Sequence, residues 1–394
     1  MTPATVLDWR ERARRRLPRQ MFDYIDGGAY EEQTMRANVD DLGEVLLNQV
    51  VMRDVSVRDQ GCEVLGQSLS MPVILGPVGL AGMFAKRGEI QAAKAAAAAG
   101  VPFVESTVSI CGIEEVAAAA GPTWFQLYVM RDRAYAEGLI ARAREAGSPV
   151  LVLTVDLAVV GARHRDTRNA MVGEGHSAWA KLRRALDIVG HPGWVRQVGI
   201  GGKPLTFGNL EEAVPGARSP EDFKDWVDSQ FDPGVTWADV AWVREHWEGP
   251  LVIKGILDPE DARRAADAGA DGVVVSNHGG RQLDSVPSTV TALPAVAEAV
   301  GDRIEVLVDG GVRTGLDAVK MLSLGAKAVM VGRAWAWAVA AGGEQAVSRM
   351  LEGLRSDIDV ALALTGRRSV GELDASALYR RESTDVLVEG EVVR

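Results

Sequence analysis

The nine residues Ser276-Asn277-His278-Gly279-Gly280-Arg281-Gln282-Leu283-Asp284 crowd an imidazole, a guanidinium and a carboxylate into one short span. A guanidinium offers two parallel N–H groups to an anion such as a carboxylate or phosphate, and a histidine three residues away can move a proton near neutral pH. That pairing suits anion capture beside a base. The plain alternative is a polar loop that satisfies itself, the usual state of a lone histidine. The two glycines are read as letting backbone approach a ligand closely. The preceding residues, Gly272-Val273-Val274-Val275, form a run of small and β-branched side chains that predicts a buried parallel strand. The polar cluster therefore falls at a strand's carboxyl end, which in a barrel of alternating strands and helices is the catalytic face.

Composition bounds what such a site can serve. At 394 residues and 47% hydrophobic content the chain can bury a large core, and it spans two or three domains unless one α/β barrel takes most of it. A net charge of -11 argues against a nucleic-acid partner, because phosphate backbones need a basic face. The two cysteines, Cys62 and Cys111, stand far apart with no zinc-like spacing, so no metal site is expected and a reducing compartment is. Residues 1–19 lack the apolar stretch of a signal peptide, and the uncharged run 334–343 is too short to span a bilayer. A cytoplasmic, non-integral protein is expected.

The chain supports a barrel. From residue 71, short apolar runs alternate with alanine-rich helical segments. Strands are predicted at 72–76, 103–105, 124–129, 150–155, 251–254, 272–275, 305–308 and 328–331, and helices at 89–99, 113–120, 133–146, 237–246, 259–268, 292–300, 315–324 and about 343–364. Eight such units define an α/β fold of the (β/α)8 TIM-barrel kind. The expected organisation is a single domain over 1–394, with the barrel at about 71–366, an N-terminal helical segment and a tail at 367–394. That helical segment covers 5–24 with a break at Leu17-Pro18, and its run Arg10, Arg12, Arg14, Arg15, Arg16 and Arg19 reads as a solvated face. Residues 157–236 form a long insertion after the fourth strand, too long for an ordinary βα loop. Its Trp179, Trp194 and Trp226 among Lys181, Arg183, Arg184 and Arg196 suit either a packed subdomain or contact with an anionic membrane.

Residues remote in sequence then meet at the strand ends. The first strand brings Val78 and Gly79, the second Ser106, the third Gln126 and Tyr128, and the fourth Thr154 and Asp156 followed by Arg163. The fifth brings Lys254 and the sixth the opening motif; the seventh gives Asp309, Gly311 and Arg313, and the eighth Gly332 and Arg333. Glycine-and-arginine turns on the last two loops lie where barrels commonly hold a phosphate, implying a phosphorylated cofactor. Ser106, Gln126, Thr154 and Ser276 could be ordinary core hydrogen-bonders, but around one mouth they resemble a set that reads a ring edge.

Tyr24, 126–128, 154–156, Arg163, Lys254 and 276–284 together resemble the FMN-dependent α-hydroxy-acid dehydrogenases and oxidases, a family that includes glycolate oxidase and mandelate dehydrogenase. The likeness runs essentially end to end. The phrases at 24–30, 77–80 and 254–262 are most similar to the family's bacterial respiratory L-lactate-oxidising branch. The resemblance implies FMN as cofactor and oxidation of a short L-2-hydroxy acid, such as L-lactate to pyruvate, with electrons passed to a quinone or other carrier. It implies His278 as base, Asp156 as its carboxylate partner, Arg163, Arg281 and Tyr24 on the substrate carboxylate, and Tyr128 on the substrate hydroxyl. Lys254 would tune the flavin. Val78, Gly79, Ser106, Gln126, Thr154 and Ser276 would bind its ring, Asp309 the ribityl chain, and Gly311, Arg313, Gly332 and Arg333 the phosphate. It also implies a homo-oligomer, a tetramer, with peripheral contact with the cytoplasmic face of the inner membrane through the insertion as an open alternative. The same residues would serve an oxidase using dioxygen, although Gly79 stands where many oxidases of the family have Ala. A flavin-dependent isomerase of isoprenoid diphosphates would need further basic residues in place of the Tyr24–Arg163–Arg281 set.

Overall fold

The computed structural model describes residues 2–169, 178–202, 207–211, 213, 226 and 229–379. Eight parallel strands form its centre: β1 (Val73–Leu75), β2 (Val104–Ser106), β3 (Trp124–Tyr128), β4 (Leu151–Thr154), β5 (Leu251–Ile256), β6 (Gly272–Val275), β7 (Glu305–Val308) and β8 (Ala328–Val331). From β2 to β8 each strand pairs with the next, and β8 returns to pair with β1. A parallel bridge between Leu75 and Phe103, with the Leu75 N–H donating to Pro102 O at 2.9 Å, joins β1 to the approach of β2 and completes the ring.

Burial on both faces explains the β-branched composition of these strands. Inside the ring, Ile74, Val104, Trp124, Val152, Val252, Val274, Leu307 and Met330 form one apolar layer. A two-stranded hairpin, Cys62–Val64 with Gln67–Leu69, plugs the ring from the strands' amino ends through Val64, Leu65 and Leu69. Its seat is marked by two bonds, Leu65 N–H to the Glu305 carboxylate at 2.9 Å and the Trp124 indole to the Gln67 amide oxygen at 3.2 Å. The outer faces of the strands pack against the surrounding helices.

Those helices follow the predicted order, with one difference at the end. The expected start near 343 is preceded by a helical stretch beginning at Arg333, and the continuous element Arg333–Leu364 breaks at Gly342 and Gly343. The apolar run 334–343 is thus a buried helix directly after β8, with Trp335 and Trp337 inside.

At the amino terminus, α1 (Val6–Arg16) and α2 (Arg19–Asp26) flank the Leu17-Pro18 break, and α3 (Gln33–Glu44) follows. Arg12, Arg14, Arg15, Arg16 and Arg19 are exposed, as the solvated-face reading expects, but two arginines of the run are also tied to the fold. Arg10 makes a two-bond fork to the Asp26 carboxylate at 2.5 and 2.8 Å and stacks between Phe22 and Trp337, while Arg16 donates to Ala341 O at 2.7 Å. The segment is fastened to the barrel's catalytic end. The insertion contributes helices His164–Arg168 and Ala178–Val189 and the turn Pro192–Trp194. Part of it, and residues 380–394 of the expected tail, lie outside the described residues.

Candidate active site

Alternation along a strand places the site. Two residues beyond each inward apolar side chain, the next inward position is polar: Val104 to Ser106, Trp124 to Gln126, Val152 to Thr154, Val252 to Lys254, Val274 to Ser276 and Leu307 to Asp309. The ring interior therefore changes from apolar to polar as it climbs to its carboxyl end. Above that layer opens a cavity of about 630 Å³. Its walls hold Tyr24, Val78, Gly79, Ser106, Tyr128, Thr154, Arg163, Lys254, His278, Arg281, Asp309, Gly311, Arg313, Gly332 and Arg333. Gln126 and Ser276 are fully buried beside it.

On one wall His278 Nδ1 lies 2.8 Å from Asp156 Oδ1. A carboxylate only accepts, so this contact assigns the ring proton to Nδ1 and leaves Nε2 basic. Burial pushes the His278 ring below its ordinary value, with Lys254 and Arg163 adding to that and Asp156 opposing it. Burial would raise Asp156, but His278 and Lys254 hold it below the usual carboxylate range. The resting pair is thus a neutral imidazole beside a carboxylate, a base with a built-in stabiliser for its protonated form. His278 sits in the left-handed region, φ 56°, a cost for a residue with a Cβ that surrounding contacts must hold in place.

Lys254 connects this pair to the barrel floor. Its ammonium donates to Ser276 Oγ at 3.0 Å and meets Asp309 Oδ2 at 3.1 Å, and the same Ser276 hydroxyl accepts the His278 N–H at 3.0 Å. Burial favours the neutral amine, but Asp309 and Asp156 outweigh it, so the lysine stays charged. Ser276, expected at a ring edge, instead spaces Lys254 and His278. Gly255, within the phrase 254–262 but given no role there, shapes this wall. It bulges β5 at φ 112°, and a Cβ there would meet Asp156 Cβ at 2.6 Å.

The opposite wall is cationic and aromatic. The guanidinium carbons of Arg281 and Arg163 lie 5.1 and 5.9 Å from the Tyr24 ring centre. Arg281 Nη1 is pinned by Tyr24 O at 2.7 Å and Gly27 O at 2.9 Å. Burial, then the neighbouring Arg163 charge, pushes Arg281 down to about 10. Two like charges held together out of water call for an anion, and Arg163 Nε has no partner. Asp166, also overlooked in the sequence, lines the same cavity and is only 4% exposed. Burial raises its carboxyl despite both arginines.

The third region lies at β7 and β8. Arg333 donates to Gly279 O at 2.8 Å, Gly27 O at 2.7 Å and Ile25 O at 3.2 Å, and Arg313 stacks on Trp337 at 4.9 Å. Burial lowers Arg313 to about 10 and carries Arg333 well below its usual range. Neither guanidinium is hydrogen-bonded to a carboxylate among the described residues; the Asp317 carboxylate accepts only the Arg313 backbone N–H, at 2.9 Å. A buried cationic end beside the start of a helix suits a phosphate. Near the floor, Gln126 Nε2, Thr154 Oγ1 and Asp309 Oδ1 are buried without partners, the set a polar heterocycle and its polyol chain would satisfy. The residues present therefore fit FMN.

The opening motif also ties the amino-terminal segment to the barrel. Asn277 exchanges paired amide bonds with Asn38 at 2.8 Å, and the Asp284 carboxylate accepts Thr34 N–H at 2.8 Å at the start of α3. The expectation that both glycines face a ligand is corrected. A Cβ on Gly280, φ 72°, would meet the Met35 backbone nitrogen at 2.5 Å, so that glycine admits α3. On Gly279 it would meet the Arg333 guanidinium at 2.8 Å.

A closed α/β barrel with a phosphate end, a ring-edge layer and a base facing an anion clamp defines a flavin-dependent oxidoreductase class. The family model described as FMN-dependent dehydrogenase matches residues 13–380, and the chain belongs to that family and uses its cofactor, FMN. It is similar to the L-lactate dehydrogenase of Caulobacter vibrioides, 54% identical over 97% of this chain and 99% of that protein. The L-lactate dehydrogenase of Pseudomonas aeruginosa is 50% identical over 95% of this chain and 97% of that protein. Among solved structures, a monotopic membrane protein, (S)-mandelate dehydrogenase, superposes with a TM-score of 0.91 at 37% identity, covering 97% of this chain and all of that one (100%). A mandelate oxidase with (S)-4-hydroxymandelic acid matches at 0.82 and 37% identity, over 96% of this chain and 98% of that one.

Proposed function

We propose that this chain, as one domain, oxidises L-lactate to pyruvate. The observation that carries the reading is the Asp156–His278 pair, 2.8 Å apart, on the same cavity as the Tyr24–Arg163–Arg281 cluster. A 2-hydroxy acid needs its carboxylate held and a proton removed, and these walls supply both. Arg163 and Arg281 take the carboxylate with Tyr24, Tyr128 contacts the hydroxyl, and His278 Nε2 takes one proton while Asp156 stabilises the resulting imidazolium. When bound, FMN would accept the two electrons and the second hydrogen released as the alcohol becomes a carbonyl. Val78, Gly79, Ser106, Gln126 and Thr154 hold its ring, with Ser276 acting through Lys254. Lys254 and Asp309 stand at its polar edge, and Gly311, Arg313, Gly332 and Arg333 receive its phosphate. L-Lactate is favoured over larger acids by the names of the most similar relatives.

For the acceptor we propose a membrane quinone. In helix Ala178–Val189, Trp179 (66%), Leu182 (47%), Leu186 (60%) and Val189 (72%) are exposed at spacings that form one stripe, with Arg183 beside them. Arg184 and Ile188 of the same helix line the cavity. The neighbour named as a monotopic membrane protein supports peripheral membrane attachment, and the face we propose is the cytoplasmic one of the inner membrane. No helix among the described residues is long and apolar enough to cross a bilayer. Val51, Met52, Val57, Val360 and Leu364 are exposed apolar side chains that self-association would cover, and the state we propose is a homo-oligomer, a tetramer. The test is anaerobic: L-lactate should bleach the flavin far faster than D-lactate, glycolate or mandelate. Preference for mandelate would overturn the substrate.

A further inference from the structure

Gln20 is the least explained polar group in the cavity. It is 3% exposed, lines the cavity, and neither amide atom, Nε2 nor Oε1, has a hydrogen-bond partner among the described residues. A buried amide without partners is rare in a finished core and points to a bound group that completes it. Its position indicates which group. Gln20 and Tyr24 lie four residues apart on α2, so they share a face with Gln20 one turn, about 5.4 Å, from the carboxylate clamp. Around that end are Met21, Met83, Ile188 and Trp194. The Trp194 indole N–H is already donated to Met83 O at 2.8 Å, which leaves its ring as apolar wall. L-Lactate ends in a methyl group on the side away from its carboxylate and hydroxyl, and a methyl satisfies no amide. A second ligand, flat enough for a wall of Met and Trp and carrying a carbonyl, would satisfy the amide.

We infer that Gln20 is the recognition residue for the quinone acceptor, its Nε2–H donating to one carbonyl oxygen of the quinone ring. This rests on the reading of a quinone as acceptor. The helix carrying the exposed stripe contributes Ile188 to the cavity that Gln20 lines, and its Asp187 carboxylate accepts the Arg19 N–H at 2.7 Å, which seats that helix against the start of α2 beside Gln20.

The test uses the flavin-loaded protein and the variants Gln20→Leu and Gln20→Met, which keep bulk but remove both amide groups. Calorimetric titration of the oxidised protein with a short-chain ubiquinone analogue should show roughly tenfold weaker binding in both, the factor for one lost hydrogen bond. The Michaelis constant for the analogue should rise by a similar factor. Anaerobic flavin reduction by L-lactate and turnover with a soluble dye should stay within about twofold, and thermal stability should hold or rise because an unsatisfied amide is gone. Unchanged analogue binding in both variants would overturn the inference, as would a parallel rise in the L-lactate constant or a fall in stability in both. If the unaltered protein reduces the dye but neither binds nor reduces the analogue, the quinone reading itself fails and takes this inference with it.

Discussion

His278 carries the chemistry, and its environment fixes the direction of its pH response. Burial lowers its pKa from the ordinary value of about 6.5, so the neutral base already predominates there, and kcat/KM should fall only as pH drops below that value. Asp156→Asn removes the opposing carboxylate, which should move that acid limb lower still and slow flavin reduction by at least ~10²-fold. A limb above pH 7 in the unaltered protein would contradict this electrostatic account. Arg281→Lys tests the clamp, because an ammonium keeps the charge but loses the fork held by Tyr24 O and Gly27 O. The L-lactate Michaelis constant should rise at least tenfold, roughly the effect of one strong hydrogen bond. Most of these residues could be found in the sequence because each follows a short β-branched run. Gln20, Asp166 and Gly255 could not, because their significance lies in neighbours: a missing partner, two arginines, and an Asp156 Cβ 2.6 Å from where a Cβ would stand.

At the scale of elements, period-two alternation both builds the barrel and lifts the polar layer to its top, which is why strand order and site were readable together. In the arginine-rich amino terminus the exposed face was legible, but the ties of Arg10 and Arg16 were not, because their partners, Asp26, Trp337 and Ala341, arrive by folding and leave no mark in local periodicity. The bulge in β5 gives a prediction of its own. Gly255→Ala forces a side chain into φ 112° and against Asp156, so it should cost about 1–3 kcal/mol and displace the carboxylate from His278. Denaturant unfolding with a measured rate of flavin reduction would show both losses; an unaltered midpoint would refute the strain. For the insertion, the exposed stripe with its basic residues should bring the protein down with anionic vesicles and release it in high salt. Each basic residue near the surface contributes about 1 kcal/mol, screened over roughly 10 Å at 0.1 M salt. Replacing Trp179, Leu182, Leu186 and Val189 with Gln should abolish sedimentation while reduction by L-lactate persists. A protein that ignores anionic vesicles at low salt would leave the arm as a lid or subunit contact.

At the scale of the molecule, the amino-terminal helices, the barrel and the insertion converge on one cavity: α2 brings Tyr24 and Gln20, the strand ends bring the base and the lysine, and the arm brings Ile188 and Trp194. Fastening all three to one motif, through Asn277 to Asn38, Asp284 to α3 and the Gln282 amide oxygen to the Gly161 N–H of the insertion, makes the clamp depend on the whole fold being assembled. The central claim is that His278 is the base that starts transfer of electrons from L-lactate to the bound flavin. Its most direct test is anaerobic stopped-flow reduction of flavin-loaded His278→Gln by L-lactate, with oxalate titration to show that the carboxylate clamp is intact. Reduction slowed by several orders of magnitude, well beyond the ~10²-fold minimum for loss of a general base, with oxalate still bound is the expected result. Near-normal flavin reduction in that variant would contradict the account.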